Sequence, residues 1–503
     1  MTDALVGIDI GTTNVKAVLA TPDGDVLTVD TYSYPTDFPR AGWAEQNPED
    51  WWIGTVTTVR NVLNRVEKPV RVAGIGVSGQ GCAVTLINRT GAVIRPAIIW
   101  LDSRAEPQCE RLRCHCGEEI LRLNGKQPAP YNADPVLMWL AEHEPASIEA
   151  ARCSLTSTGY ITFRLTGEPV MNVSDASILF TFDLTRGCWS EELIDCFGLP
   201  RHLYPPIAPC TSVVGTLTDQ AAEQLGLPAG IPVVAGGEDT SSAGLAVGVT
   251  SPGQALLSLG TAGTVNVVQE MPRMHPALLL FAHVLEGKTL LGGSMAAVGG
   301  ALNACRQWLG TNYSFEELIA LAGQCEPGTS KLIFLPYLSG ELQPINDGNA
   351  RGVFFGMSLS TTQSQIVRAV LEGTAFAIAH NISLVEQVGT PITEIRAVGG
   401  PTRSDLWCQI IADITGNPLA VVQDNVGAPL GNALLAAAGV QLITDLVATS
   451  SRNATASRTF YPREAYRDWY SQMFAIYRQL YPQLSSQFAA LEKVELSTFA
   501  HDK

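Results

Sequence analysis

The chain has 503 residues, which is too long for one hydrophobic core to be the default and favours two or three domains. Hydrophobic residues make up 46% and charged residues only 16%, a balance that suits a compact globular protein and disfavours extended disorder. The net charge of -16 argues against general binding of nucleic acid or anionic membranes, because both need a basic face. We therefore expect any bound phosphate to be held locally.

Nothing in the sequence resembles a targeting or membrane segment. The N-terminus lacks the basic and apolar regions of a signal peptide, and no apolar run is long enough to cross a bilayer. The eleven cysteines show no secreted-domain spacing, so we expect reduced thiols in a cytoplasmic protein. Zinc binding by Cys109, Cys114, His115 and Cys116 is the alternative, but no second ligand pair follows, which favours small side chains on a helix.

The first predicted elements lie in residues 5–34. Three short β-branched runs, separated by a Gly-Thr-Thr corner and a Pro-Asp-Gly turn, predict an antiparallel meander. Later runs such as RVAGIGVS and PVVAGG alternate with helical stretches, which is typical of mixed α/β layering. Glycine and proline punctuation near residue 250 indicates a boundary, and we place the domains at 1–247 and 248–503.

The pattern restarts in the second half. Residues 255–270 again read as strand, Gly-Thr turn and strand, which suggests a duplicated architecture with two related halves. A long helix rich in alanine and glycine is predicted to end at Gly389. Residues 462–494 are predicted as a helix whose aromatic side chains belong to the core rather than to a cofactor site.

The corner between the first two strands carries the first candidate chemistry. Gly11, Thr12 and Thr13 present backbone N–H groups and two hydroxyls to one point, which predicts a cradle for anionic oxygens. The corner is neither a Walker A loop nor a dinucleotide fingerprint, because a strand follows it. A carboxylate beside a phosphate cradle needs a cation between them, so Asp9 suggests Mg²⁺ held through water. An ordinary hairpin with a capping Asp9 is the alternative, and Lys16 reaches either phosphate or solvent.

Three later segments add to this pattern. Gly260, Thr261 and Gly263 form a second glycine-hydroxyl corner, and two such corners predict a polyphosphate held between two domains. Glu238 and Asp239 follow an apolar strand at the start of a helix. Either carboxylate is a candidate for a catalytic role at the strand end, and either could instead be the helix cap. The third segment, residues 397–419, contains a glycine pair. Such a pair lets a flat ring or a phosphate approach the backbone closely, and a plain strand-helix turn is the alternative interpretation.

Taken together, these motifs resemble the FGGY carbohydrate kinases, a family within the actin-like ATPase fold. The resemblance rests on the ordered segments IDIGTTNVK, GWAEQNPEDWW, VSGQGCAVTLIN, AIIWLDSRA, GGEDTSSAG, LSLGTAG, FLPYLSGELQPINDGNARGVFFGM, AVGGPTRSDLWCQIIADITG and APLGNALLAA. It implies a two-domain α/β fold with a mixed central sheet in each half and a cleft between. It also implies ATP-dependent phosphorylation of a sugar hydroxyl, with Mg²⁺ as the second cofactor.

The resemblance also implies roles for particular residues. Asp239 falls on the catalytic base, and Asp9 and Asp239 on the Mg²⁺ site. The implied ATP-binding residues are Gly11, Thr12, Thr13, Lys16, Gly260, Thr261, Gly263, Gly399, Gly400 and Ser404. The implied sugar-binding residues are Gln80, Gly81, Cys82, Trp100, Asp102, Arg104 and Thr240, although an arginine at 104 could equally join loops.

The chain departs from the family in its sugar motif. Xylulokinases have Gly-Gln-Met-His-Gly where this chain has Gly-Gln-Gly-Cys-Ala at 79–83, so a sugar hydroxyl loses a partner, at about 1–3 kcal/mol. We expect a roomier pocket and a substrate other than D-xylulose. A ketose such as a pentulose is the first expectation, and a polyol or an aldonate stays open. Pro401 replaces a usual glycine, which leaves nucleotide binding intact.

Two alternatives from other classes stay open. An actin-like or Hsp70-like protein would use the same hairpins to switch shape or form filaments, and a degenerate kinase would bind sugar without turnover. The intact Asp9 and Asp239 and the WLDSR segment favour the kinase. For a kinase, closure on the sugar is expected to exclude water and suppress ATP hydrolysis. A homodimer is the default assembly, because dimers are the commonest.

Overall fold

A computed structural model of the chain describes residues 2–310, 313–422 and 426–494. The chain divides into two compact units, neither of which is one continuous segment. Unit 1 comprises Met1–Pro252, Val268–Leu291 and Gln423–Thr455, and unit 2 comprises Gly253–Val267, Gly292–Val422 and Ala456–Lys503. The boundary predicted near residue 247 lies close to the end of the first segment. The two later segments of unit 1 were not part of that prediction.

The strands and helices alternate along the whole chain. The strands are β1 (Thr2–Ile10), β2 (Asn14–Ala20), β3 (Val26–Ser33), β4 (Glu45–Gln46), β5 (Val70–Gly79), β6 (Thr85–Asn88), β7 (Ala97–Ile98), β8 (Ala151–Leu155), β9 (Met171–Asn172), β10 (Phe182–Asp183), β11 (Cys188–Trp189), β12 (Ile207–Ala208), β13 (Val213–Thr216), β14 (Pro232–Val234), β15 (Gly237–Glu238), β16 (Gln254–Leu259), β17 (Gly263–Gln269), β18 (Leu279–Ala282), β19 (Thr289–Met295), β20 (Ile333–Leu335), β21 (Val353–Phe355), β22 (Glu394–Gly399), β23 (Leu419–Val422) and β24 (Ala456–Phe460). The helices are α1 (Pro48–Arg65), α2 (Glu106–Asn124), α3 (Ala133–His143), α4 (Pro145–Ala150), α5 (Ser157–Thr166), α6 (Val173–Ile178), α7 (Glu191–Phe197), α8 (Asp219–Leu225), α9 (Asp239–Ala246), α10 (Gly299–Leu309), α11 (Phe315–Ala322), α12 (Gln363–Gln387), α13 (Asp405–Thr415), α14 (Ala428–Gly439), α15 (Leu446–Asn453) and α16 (Glu464–Glu492), with short 3₁₀ helices at Arg201–Leu203 and Gly400–Arg403.

The central sheet of unit 1 has the strand order β13-β14-β5-β1-β2-β3, with β15 also paired to β5. Strands β1, β2 and β3 form the predicted antiparallel meander, and β1 runs parallel to β5 on its other side. Strand β1 is a nearly continuous buried apolar run, as expected for a strand covered on both faces. Helix α14 covers one face and approaches so closely that a Cβ at Gly7 would collide with the backbone of Pro429.

The sheet of unit 2 repeats this arrangement. Strands β16 and β17 form the second predicted hairpin, and β16 runs parallel to β22 on its other side. The order continues from β22 to β23 and β24. Both sheets therefore combine an antiparallel hairpin with a parallel neighbour, which agrees with the predicted pair of related halves. The two predicted long helices are also present, as α12 and α16.

The cysteines depart from the prediction at one pair. Cys116 on α2 and Cys196 on α7 form a disulfide, although they are 80 residues apart in sequence. The expectation that every cysteine is a reduced thiol is therefore wrong for this pair. Nothing in the spacing of the cysteines along the sequence indicated that these two would be neighbours in the fold. The segment around Cys109 is helical as predicted. In the described ranges, no helix is long and apolar enough for a membrane span.

Candidate functional site

The first glycine-hydroxyl corner is a tight turn tied to its surroundings by several side chains. The Gly11 N–H donates to the Asn14 carbonyl at 3.0 Å, which closes the turn between β1 and β2. The Trp100 indole N–H donates to Thr12 Oγ1 at 2.9 Å, and Gln46 Nε2 donates to the Thr12 carbonyl at 2.7 Å. A predicted sugar-side residue, Trp100, thus holds a hydroxyl of the predicted phosphate corner. Gln46 was not among the predicted site residues, although it lies in the GWAEQNPEDWW segment.

Asp9 lies near the end of β1, beside the end of its parallel neighbour β5. The Ser78 hydroxyl at the end of β5 donates to Asp9 Oδ1 at 2.7 Å. Lys16 lies opposite Asp9 in the register of the β1-β2 hairpin. Strand β15 pairs with β5 at Ser78 and leads directly into Asp239. Burial and the negative charge of Asp239 raise the pKa of Asp9 to about 7. The two carboxyl groups are therefore close enough to repel each other.

Glu238 and Asp239 have separate roles at the start of α9. The Glu238 side chain is buried and accepts the backbone N–H of Ser241 at 2.8 Å, so it is the helix cap. Burial and the charge of Asp239 raise the pKa of Glu238 well above its usual range. Asp239 is only half-buried, and its Oδ1 accepts the Thr240 hydroxyl at 2.9 Å. The cap contact therefore engages Glu238 and not Asp239.

The segment where the chain departs from xylulokinases is buried in unit 1. Gln80 Nε2 donates to Gln46 Oε1 at 2.8 Å, while Gln80 Oε1 has no partner among the described residues. A Cβ at Gly81 would lie 2.9 Å from Ile178 Cδ1, so Ile178 fills part of the volume that a larger residue would take. Burial raises the pKa of the Cys82 thiol to about 12, which keeps it neutral.

Asp102 and Arg104 form a buried ion pair with each other. Arg104 Nη2 lies 2.7 Å from Asp102 Oδ2 and 2.8 Å from Glu45 Oε1, and its guanidinium stacks 3.7 Å from the centre of the Trp43 ring. The Ala44 N–H donates to Asp102 Oδ2 at 2.6 Å. The pair therefore joins the 102–104 turn to the 43–45 segment. This is the loop-joining role that the sequence left open for Arg104.

Unit 2 contains a cavity of about 890 Å³ that brings together two predicted nucleotide motifs. Gly260 and Thr261 of the second hairpin and Gly400 and Ser404 after β22 all line it. Its volume is in the range of small-molecule sites. A Cβ at Gly400 would meet nothing within 4 Å, so the backbone there is open to a ligand. The Ser404 hydroxyl also accepts the Trp407 N–H at 3.2 Å and caps α13.

Two predicted glycines lie behind this lining rather than on it. Gly399 has φ +105°, and a Cβ there would collide with the Leu259 carbonyl, so it permits close strand packing. A Cβ at Gly263 would lie 2.7 Å from Val298 Cγ2. The lining also includes Gly299 and Gly300 at the start of α10. These two glycines were not predicted as site residues, although a glycine pair at a helix start is a visible signal for an anion site.

Comparison with known proteins agrees with this arrangement. The N-terminal domain model of the FGGY family of carbohydrate kinases matches residues 4–246, and its C-terminal domain model matches residues 255–440. The chain belongs to the FGGY family of carbohydrate kinases. The predicted two-domain α/β fold and the predicted ATP-dependent carbohydrate kinase activity are thereby confirmed. The matches give no support to a filament-forming or shape-switching protein.

Individual relatives cover nearly the whole chain. The xylulose kinase of Escherichia coli (strain K12) is 31% identical over 484 residues, which are 94% of this chain and 99% of the relative. The gluconokinase of Bacillus subtilis (strain 168) is 27% identical over 519 residues, 100% of both chains. The crystal structure of xylulose kinase from Rhodospirillum rubrum has a TM-score of 0.92 at 31% identity, covering 97% of this chain and 100% of that one.

Proposed function

We propose that this FGGY kinase transfers the terminal phosphate of Mg-ATP to a hydroxyl of a small sugar, with Asp239 as the general base. The observation that carries the proposal is the division of roles at the start of α9, where Glu238 caps the helix and the half-buried Asp239 does not. The carboxyl end of a parallel strand is where α/β folds place their chemistry. Asp239 accepts the proton of the sugar hydroxyl as its oxygen attacks phosphorus.

The residues around Asp9 fit a magnesium ion. Burial, and after it the charge of Asp239, raise the pKa of Asp9, and a divalent cation beside the two carboxylates would stabilise their charged forms. Mg²⁺ binds through one or two carboxylates, waters and phosphate oxygens, so these two side chains are a suitable protein contribution. The ion, when bound, neutralises charge on the transferred phosphate. The chain's own part is to hold Asp9 in place through the Ser78 hydroxyl.

The nucleotide and phosphate contacts follow from the geometry of each unit. In unit 1, Thr12, Thr13 and Lys16 are proposed to contact phosphate oxygens, because the turn presents hydroxyls and N–H groups beside Asp9. In unit 2, the cavity beside Gly260 and Gly400 is proposed to take the adenosine. The glycine backbone at its wall lets a flat ring approach closely.

The sugar is proposed to lie on unit 1, beside Asp239. The Thr240 hydroxyl orients Asp239 through Oδ1, which leaves Oδ2 for the sugar proton. Trp100 lies 43% exposed next to the phosphate corner, and the unpartnered Gln80 Oε1 is an acceptor for a sugar hydroxyl. Asp102 and Arg104 are proposed to act by holding this wall in place, because they engage each other. The relatives' names make ketoses and aldonates the first substrates to test.

The test is phosphorylation across a library of ketoses, polyols and aldonates by the wild type and by Asp239→Asn. We expect one ADP for each sugar phosphate formed by the wild type, with D-xylulose a poor substrate. ATP turnover that is the same with and without every sugar would contradict the proposal and favour a binding or regulatory protein. A cytoplasmic location and a homodimer stay predictions, and light scattering on the purified chain tests the second.

A further inference from the structure

Lys126 is a buried lysine that the proposed mechanism does not use. Its side chain is almost fully enclosed, with 4% of the residue exposed. Its Nζ donates to Asn124 Oδ1 at 2.9 Å and to the Ser177 carbonyl at 2.8 Å, and both acceptors are neutral. Buried lysines are almost always paired with an opposite charge. Among the described residues, no carboxylate forms an ion pair with Lys126, so its ammonium lacks a counter-charge.

The position of Lys126 relative to the proposed base is set by α6. At its start, the Ser174 hydroxyl accepts the backbone N–H of Glu238 at 2.8 Å. Ser177, whose carbonyl accepts from Lys126, lies one helical turn further along, which is about 5 Å. Lys126 and Glu238, the residue before Asp239, therefore both contact the short helix α6, at positions about one turn apart.

The same helix also borders the predicted sugar segment. Ile178 of α6 is the side chain that a Cβ at Gly81 would meet, and Asn132 donates to the Ile178 carbonyl at 2.9 Å. The Cys82 thiol interacts electrostatically with both Lys126 and Glu238. Lys126, the 80–82 segment and the start of α9 are thus parts of one region of unit 1.

We infer that Lys126 determines substrate specificity in this region, and that the sugar carries a carboxylate at the end opposite the phosphorylated hydroxyl, as in an aldonate or keto-aldonate. The inference rests on the proposed function. A carboxylate against Lys126 would supply the missing counter-charge and a charge-assisted hydrogen bond. In its charged form Lys126 has three N–H donors, of which Asn124 and Ser177 take two.

The titration of Lys126 gives the inference a second consequence. Burial lowers the pKa of Lys126 to about 7, so a bound carboxylate, which favours the charged form, should draw in a proton near neutral pH. Two other buried groups of this region also titrate near neutral pH, because burial raises the pKa of Asp175 on α6 to about 7 and that of Asp134 to about 6. Burial raises the pKa of Cys82 to about 12 and also raises the pKa of Tyr131, so these two groups stay neutral. The oxygens of Asp134 accept from the Tyr204 and Thr181 hydroxyls.

The experiment compares five- and six-carbon aldonates with the matching ketoses and polyols, for the wild type, Lys126→Gln and the control Lys68→Gln. Glutamine keeps two N–H donors for Asn124 and Ser177 but removes the charge, and Lys68 is an exposed lysine of the same unit. We expect the wild type to prefer aldonates. Lys126→Gln should lower their kcat/KM about 10- to 100-fold, mainly through KM, because a charge-assisted hydrogen bond is lost. The kcat/KM of Lys126→Gln for neutral sugars should change little, and so should the kcat/KM of Lys68→Gln for every substrate.

The outcomes separate this inference from the proposed function. Phosphorylation of neutral sugars without any aldonate activity overturns the inference and leaves the proposed kinase intact, whereas no phosphorylated sugar at all overturns the proposed function. If Lys126→Gln does not fold, calorimetry of the wild type decides. Aldonate binding at pH 7, measured in two buffers of different ionisation enthalpy, should take up more protons than binding of the matching neutral sugar, a comparison that accounts for the other groups titrating near pH 7. Equal proton uptake with the bound aldonate and the bound neutral sugar overturns the inference.

Discussion

Replacing Asp239 by asparagine removes the proposed base while keeping its size and its contact with Thr240, because the amide oxygen can still accept that hydroxyl. Turnover should fall by about 10²- to 10⁴-fold, the usual contribution of a general base. This equals about 3–5 kcal/mol in the activation barrier. Folding should change little, because the favourable charge at the start of α9, about 0.3–1 kcal/mol, is lost together with the repulsion between positions 239 and 9.

The matched control for this substitution is Asp219→Asn. Asp219 is exposed and is the first residue of α8, just as Asp239 is the first residue of α9. Both variants are measured by coupled ADP release at saturating sugar and ATP, with nucleotide binding followed by calorimetry. We expect Asp219→Asn to match the wild type and Asp239→Asn to bind nucleotide normally. An Asp239→Asn enzyme that keeps more than a tenth of wild-type turnover would refute the reasoning.

Further predictions concern the walls of the two units. Trp100→Phe removes one hydrogen bond to the first hairpin and should lower kcat/KM for the sugar about 2- to 10-fold in steady-state kinetics, whereas no change would remove its role. A Cβ at Gly400 meets nothing within 4 Å and Gly400 lines the cavity of unit 2, so Gly400→Val should occupy part of that cavity and raise the KM for ATP at least about tenfold. The matched control is Gly348→Val, also in unit 2 and at a position where a Cβ meets nothing within 4 Å, and it should leave the KM for ATP unchanged. Arg104→Met leaves Asp102 buried and unpaired, so the free energy of unfolding, measured by chemical denaturation, should fall by about 3–5 kcal/mol. The free energy of unfolding should fall by less in the double variant Asp102→Asn/Arg104→Met.

The hairpins and long helices were predictable because their signals are local. The glycine corners, the β-branched runs and the end of α12 near Gly389 all depend on neighbouring residues. The composition of the units depends on contacts between distant residues instead. Asn432, for example, donates to the Ile8 carbonyl across 424 positions, which places residues 423–455 in unit 1. No sequence period records such a contact.

The candidate site was predictable in residue types but not in their separate roles. Sequence placed Glu238 and Asp239 together at a helix start, but only the backbone geometry shows that Glu238 accepts the Ser241 N–H. The partner of Arg104 and the pairing of Cys116 with a cysteine 80 positions away depend on tertiary packing. The role of Asp239 in catalysis, and the predicted closure on the sugar, stay predictions.

Phosphorus NMR of the reaction with the sugar library tests the central claim most directly, because it observes the transferred phosphate itself. The account predicts a new sugar-phosphate signal that grows in step with ADP, needs Mg²⁺ and nearly disappears in Asp239→Asn. A signal from inorganic phosphate alone, or a sugar phosphate formed equally fast by Asp239→Asn, would contradict it.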